Sequence, residues 1–153
     1  EDLFETVRSP LEAPGIASFV EEVSAWISEP PGSKLVVAGV DLSHVGRKFG
    51  DPHTGRSLEP DFTAFDREIL DALTAGNASA LFLAGARSRN RYRICGFSTL
   101  WTLLAVLPGI HGTVLDYDVW HEDPTRSAVS FAAVAFTRDS SAKSLAGASP
   151  SSG

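Results

Sequence analysis

The hexapeptide Asp41-Leu42-Ser43-His44-Val45-Gly46 sets a carboxylate three residues ahead of an imidazole, at the end of a valine-rich apolar run. In open α/β sheets, ligand sites gather at the carboxyl ends of strands, so His44 stands where a metal ion or a substrate would be met. Asp41 is placed to orient that imidazole, because ligating histidines usually donate their second ring N–H to a carboxylate or a carbonyl. A second cluster, Arg93-Ile94-Cys95-Gly96, carries the single cysteine of the chain just ahead of a helix start. A thiol there can hold a soft or borderline metal, or react with an oxidant. Arg87, Arg89, Arg91 and Arg93 alternate through RSRNRYR, and guanidinium groups in that density suit a carboxylate or phosphate, Arg93 being the nearest to Cys95.

Each feature also has a plainer explanation. His44 reads equally as a loop histidine held by a hydrogen bond, Cys95 as an inert buried thiol, and the arginines as a solvated loop. On spacing alone the plainer explanations are the stronger ones. His53, His111 and His121 form no HxxxH pair with another histidine, and one cysteine rules out a CxxC motif. Ser43 and His44 are no catalytic pair, since neighbours on a strand point to opposite faces. Gly46, Gly50 and Gly55 match neither the Walker nor the dinucleotide-binding fingerprint.

The elements that must position these residues follow from periodicity and punctuation. Ile16, Phe19, Val20, Val23, Trp26 and Ile27 form one helical face behind Pro14, and Pro30, Pro31 and Gly32 end that helix. Residues Lys34 to Ser43 lack alternation and predict a strand covered on both faces. A glycine- and proline-rich loop then runs from His44 to Glu59. Asp61 is expected to cap a helix whose inner face carries Phe62, Phe65, Ile69, Ala72 and Leu73, with Gly76 as its end. Asn77 caps a shorter helix with Leu81 and Phe82 inward, and Ser98 caps a buried helix from Thr99 to Leu107. Gly112 to Trp120 and Ser127 to Thr137 read as an antiparallel hairpin turning near Asp123-Pro124. Residues 138–153 are rich in Ser, Ala and Gly and predict a disordered tail.

The chain has 153 residues, 43% hydrophobic, enough for one domain with a core and too short for two. A net charge of -6 argues against nucleic acid or an anionic membrane as the main partner. The apolar stretches Leu35 to Val40 and Leu100 to Leu107 are too short to span a bilayer, and no signal-peptide pattern opens the chain. With one cysteine, the expectation is a soluble protein of a reducing compartment, the cytoplasm. The absence of methionine predicts that the sequence is part of a longer protein.

Three blocks, DLSHVGRKFGD (41 to 51), RYRICGFSTLWTLLAVL (91 to 107) and SAVSFAAVAF (127 to 136), resemble in order the Memo family, whose prokaryotic members are called AmmeMemoRadiSam system protein B. The lead-in SPLEAPGIASFVEEVSAWI resembles the helix ahead of that family's histidine strand. Thr99 departs from the proline frequent at the start of the family's helix, a change a helix accommodates. The resemblance implies an α/β fold like that of class III extradiol dioxygenases, with a central mixed sheet and flanking helices, truncated here on the amino-terminal side. It implies that residues 1–137 are the carboxy-terminal part of such a domain. The family's metal site has three histidines and one cysteine. His44 matches one of those histidines and Cys95 the cysteine, with Asp41 supporting His44 and Arg93 facing an anionic substrate. The other two histidines belong to an amino-terminal half, which becomes an expected partner. Copper or iron suits this ligand set, and zinc accepts the same ligand types. The leading expectation is thus a metal-binding, redox-active protein; the runner-up is a non-catalytic module whose cleft binds a peptide or protein, and a third reading is a role beside radical-SAM components.

Overall fold

The structure, a computed structural model, describes residues 8–30 and 34–138. Pro31 and Gly32 at the expected helix end, and the tail beyond Arg138, lie outside the described residues. In chain order it has a 3-10 turn Pro10–Glu12, helix α1 (Ile16–Ser28), strand β1 (His44–Gly46), a 3-10 turn Arg47–Phe49 and helix α2 (Gly55–Thr74). Helices α3 (Ala78–Ser88) and α4 (Phe97–Val106) follow, then strands β2 (Ile110–Glu122) and β3 (Ser127–Arg138) joined by a 3-10 turn Asp123–Thr125. The fold is α/β, as the sequence predicts: a sheet of order β1-β3-β2 with helices packed against it. Every pairing among the described residues is antiparallel.

The hairpin closes where the sequence places its turn, with Trp120 opposite Val129 and Tyr117 opposite Ala132. Along β3, Ser130, Ala132, Val134 and Phe136 are buried or half-buried, while Phe131, Ala133 and Ala135 between them are exposed. That alternation of period two faces one side of the sheet toward α2. From α2, the fully buried Phe62 and Ile69 join Val45 of β1 and Leu81 of α3 in a single core, each apolar side chain contributing about 1.5–3 kcal/mol by leaving water. Asn77 caps α3 as expected, its Oδ1 accepting from the Ala80 N–H at 2.9 Å.

Three elements differ from the sequence reading. Helix α2 begins at Gly55, capped by the Thr54 hydroxyl, so Pro60 lies inside it and Asp61 is no cap. Helix α4 starts at Phe97 behind Gly96, without a side-chain cap, so Ser98 is a residue of its first turn. The run from 34 to 43 does not form the expected strand. Leu42 and Ser43 bond to Ser130 of β3, at 2.9 and 3.0 Å, but residues 34–41 diverge from that strand. They border an apolar cleft of about 550 Å³ whose far wall includes Val134 and Phe136. Leu35 and Val37 are exposed. An apolar run becomes a strand only where a neighbour takes its N–H and C=O groups, and no described strand does so here.

At the centre of the molecule lies one carboxyl group that is wholly buried. Asp66 of α2 accepts the hydroxyl of Ser43 at 2.6 Å, of Ser130 at 2.5 Å and of Tyr117 at 2.8 Å. Those donors come from three separate chain segments, so Asp66 ties α2 to β2, to β3 and to the approach to β1. Burial pushes the Asp66 carboxyl above the ordinary carboxylate range, against the opposing pull of its hydrogen bonds from Ser130, Ser43 and Tyr117. Burial also pushes the Tyr117 hydroxyl up, helped by the Asp66 charge beside it.

This packing makes stability depend on pH and on one tight contact. Between the ordinary and the raised Asp66 value, the folded state holds a proton that the unfolded chain has released. This group's contribution to stability is therefore full at low pH and is lost as pH rises through that window. In urea unfolding, the stability of the native chain relative to Asp66→Asn should be greater at about pH 4 than at about pH 7; a margin that widens with pH would refute the assignment. The tight contact is at Gly96, where an added Cβ would lie 2.2 Å from the Val40 Cβ. Gly96→Ala should cost about 1–3 kcal/mol through overpacking, and Val40→Gly in the same chain, which removes the clashing Cβ, should recover part of it. Strictly additive losses in the double variant would show that the two residues do not press on one another.

Candidate metal centre

The site is assembled by two loops held against β1. The first turns back directly after the strand. Gly46 adopts φ 103° and passes so close to the Arg126 carbonyl that a Cβ would lie 2.6 Å from its oxygen. Its N–H donates to Asp51 Oδ2 at 2.8 Å, and the Asp51 N–H donates to the Gly46 carbonyl at 3.2 Å. This turn sets the Phe49 ring edge-on to the His44 imidazole, with centroids 5.2 Å apart.

The second loop, residues 89 to 95, leaves α3 through left-handed backbone at Arg89, Asn90 and Arg93. Asn90 braces it from within: its Oδ1 accepts the Ile94 N–H at 3.0 Å, and its Nδ2 donates to the Ile94 carbonyl at 3.1 Å. That loop grips both backbone groups of His44. The His44 N–H donates to the Tyr92 carbonyl at 2.7 Å, and the Arg93 guanidinium donates to the His44 carbonyl at 3.2 Å. Arg93 also makes a two-pronged pair with Asp51, at 3.1 and 2.9 Å. Burial alone would raise the Asp51 carboxyl, but the Arg93 hydrogen bond, the Gly46 N–H and the charges of Arg93 and Arg91 together hold it below the ordinary range. This pairing therefore persists through neutral pH and weakens only as the solution is acidified through that lowered value.

With His44 fixed in this way, Asp41, His44 and Cys95 converge, their ligand atoms all within 4.8 Å of one another. The His44 Nδ1 lies 2.9 Å from the Leu42 carbonyl. A carbonyl only accepts, so Nδ1 carries the proton and Nε2 presents its lone pair. Asp41 Oδ2 is 3.8 Å from that Nε2, and the Cys95 thiol approaches the Asp41 carbonyl at 3.8 Å. Gly96 permits the approach, since Val40 occupies the space a side chain there would need. A shallow depression of about 440 Å³ opens over His44, Phe49, Arg93 and Cys95.

The donor set fits a metal ion. Tetrahedral coordination with bonds of about 2.0–2.3 Å places ligand atoms roughly 3.3–3.8 Å apart. The His44–Asp41 separation falls at that limit, and no separation within the group exceeds 4.8 Å.

The sequence-derived candidates are thus distributed unevenly. Asp41, His44 and Cys95 come together, but the Leu42 carbonyl orients the imidazole while Asp41 stands on the lone-pair side. Arg93 is engaged by Asp51 and the His44 carbonyl, and it also borders the depression over His44 and Cys95. His121 pairs with Glu59 at 3.1 Å, away from the centre. Sequence reasoning missed Asp51 and Asp66. Nothing in its spacing marks Asp51, which meets a residue 42 positions away. Asp66 carried a signal: it lies four residues after Phe62 and three before Ile69, a carboxylate on the apolar stripe of α2.

Comparison with known proteins identifies the family. The family model described as Memo-like protein matches residues 11–135. A MEMO1 family protein of Aquifex aeolicus is 40% identical over 113 residues, which are 72% of this chain and 29% of that protein. A MEMO1 family protein of Thermus thermophilus is 37% identical over 110 residues, 71% of this chain and 32% of that protein. The chain thus spans about a third or less of the length of these relatives. With the family model covering most of it, the chain belongs to the Memo-like protein family.

Proposed function

We propose that this chain supplies part of a mononuclear non-haem metal centre, with His44 and Cys95 as ligands and Asp41 beside them. The remaining ligands come from the amino-terminal half of the same protein. The observation that carries the reading is the convergence of an imidazole nitrogen, a thiol and a carboxylate, with the imidazole proton already committed to the Leu42 carbonyl. Copper or iron suits this nitrogen–sulfur set, and zinc accepts the same ligand types. When bound, copper or iron would supply one-electron redox chemistry. The residues of this chain supply the rest: His44 offers Nε2 without a proton to displace, Cys95 offers sulfur, and the Arg93–Asp51 pair keeps the histidine backbone in place. An exposed single thiol suits the reducing cytoplasm, and no described helix is long and apolar enough to cross a membrane.

A second reading, a module that binds a peptide or protein partner or radical-SAM components, draws support from the open apolar cleft between residues 34–40 and β3. Substituting both His44 and Cys95 separates the two readings, because partner binding through that cleft would survive.

The direct test is titration with copper, iron and zinc under reducing, anaerobic conditions, on this chain and on a full-length family member with the same motifs. The expected result is tighter binding by the longer protein. In each, His44→Ala and Cys95→Ser should weaken binding by about tenfold or more, since even supporting residues change metal affinity by that amount. Absence of binding by the full-length protein would favour the partner-binding module.

A further inference from the structure

Asp66 does not reach the metal centre, yet an unbroken line of hydrogen bonds runs from it to the His44 imidazole. Asp66 Oδ2 accepts from the Ser130 hydroxyl at 2.5 Å. The same Ser130 oxygen accepts the Ser43 N–H at 2.9 Å. That N–H belongs to the peptide group whose other end is the Leu42 carbonyl, and the Leu42 carbonyl accepts from His44 Nδ1 at 2.9 Å. The relay therefore crosses one side chain and one peptide plane before it meets the ring.

Each link has a defined direction. The Ser130 hydroxyl spends its only proton on Asp66, and its oxygen is left to accept. A donor bonded to an acceptor becomes a better acceptor at its own oxygen, and an amide whose N–H is engaged carries more negative charge on its carbonyl. At the far end, a stronger Leu42 acceptor holds the proton on Nδ1 and leaves Nε2 to present its lone pair. Ligating histidines are commonly tuned this way by a carboxylate bonded directly to the ring; here a peptide group stands between the two. The inner links are dry, since Ser43, Asp66 and Ser130 are all fully buried.

We propose that Asp66 is the positioning residue of the His44 imidazole, acting through Ser130 and the Leu42–Ser43 peptide to fix the tautomer that presents Nε2. The proposal rests on the metal-centre reading for its purpose, but not for its geometry.

The fold contains its own control. Tyr117 donates to the same Asp66 oxygen as Ser130 does, at 2.8 Å, so it touches the node without being a link between Asp66 and the Leu42–Ser43 peptide. The experiment compares the native chain with Ser130→Ala, Asp66→Asn and Tyr117→Phe. The first readout is the ¹⁵N shifts of the His44 ring without metal, at about pH 8, where an ordinary imidazole is neutral. The second is titration with cobalt(II), whose absorption bands report nitrogen and sulfur ligation. The native chain and Tyr117→Phe should both hold the proton on Nδ1. Ser130→Ala should shift the ring toward the Nε2–H tautomer and weaken cobalt binding by about tenfold.

Asp66→Asn keeps every backbone partner in place and should shift the ring in the same direction by less. It keeps the test decisive if Ser130→Ala does not fold. An unchanged tautomer in both Ser130→Ala and Asp66→Asn overturns the proposal. So does a shift in Tyr117→Phe as large as that in Ser130→Ala, since that would reflect general loosening. A native chain that holds the Nδ1 tautomer and loses it in Ser130→Ala, yet binds no cobalt, supports the relay and overturns the metal reading alone.

Discussion

A carboxyl group cannot be stripped of water in a protein interior without replacement partners, and Asp66 meets that demand with three hydroxyls drawn from different parts of the chain. The requirement works in both directions. Ser43, Ser130 and Tyr117 are themselves deprived of water and need an acceptor, so a slip of β3 by one residue would strand several polar groups together. Register along β3 is thus specified by polar satisfaction at Ser130 as well as by the alternation of apolar side chains. The same node fixes where the chain enters β1, because Ser43 is bound to it by its side chain and, through Ser130, by its backbone.

The metal centre is then built outward from this anchor by fitting irregular backbone against regular structure. Left-handed conformations at Arg89, Asn90 and Arg93 are unfavourable for residues with side chains, on the order of 1 kcal/mol each. They persist because Asn90 satisfies the loop from within and because Arg93 reaches both Asp51 and the His44 carbonyl. The loop that positions Cys95 therefore also positions the backbone of His44. A thiol and an imidazole 51 residues apart in sequence are brought into register by contacts to main-chain atoms, which sets His44 Nε2 and the Cys95 sulfur on one face beside Asp41.

What could be read from the sequence and what could not divide along the range of the interactions. Asn77 as a cap, the turn at Asp123–Pro124 and the buried stripe of α2 rest on neighbours within a few residues, and each is legible in the local pattern. The start of α2 was obscured because Pro60 reads as a boundary, although Thr54 caps a turn ahead of it. Candidate ligands at His44 and Cys95 emerged only from blocks of residues taken together, since neither stands out by spacing. The true orienting group of His44, a carbonyl, has no side-chain signature at all. The Arg93–Asp51 pair is likewise decided by how two loops meet, and arginine spacing alone could suggest only an anion of unspecified origin.

The predicted strand from 34 to 43 does not form, yet its last two residues are bonded to β3, and that asymmetry bears on the site. From Leu42 onward the chain is bonded to β3, whereas residues 34–41 run beside the apolar cleft, with Leu35, Val36 and Val37 exposed and Val40 half-buried against the core. Asp41 sits at the last residue before the bonded part begins. Its side chain is 54% exposed against 17% for His44, so the two donors differ in freedom although only three residues separate them. A backbone paired on neither edge has far more φ/ψ latitude than one held in a ladder. The His44 and Cys95 positions are therefore properties of the packed core, while the reach of Asp41 depends on what residues 34–41 pair with. A strand neighbour along that run would bury Leu35 and Val37 and narrow the freedom of Asp41 in the same step.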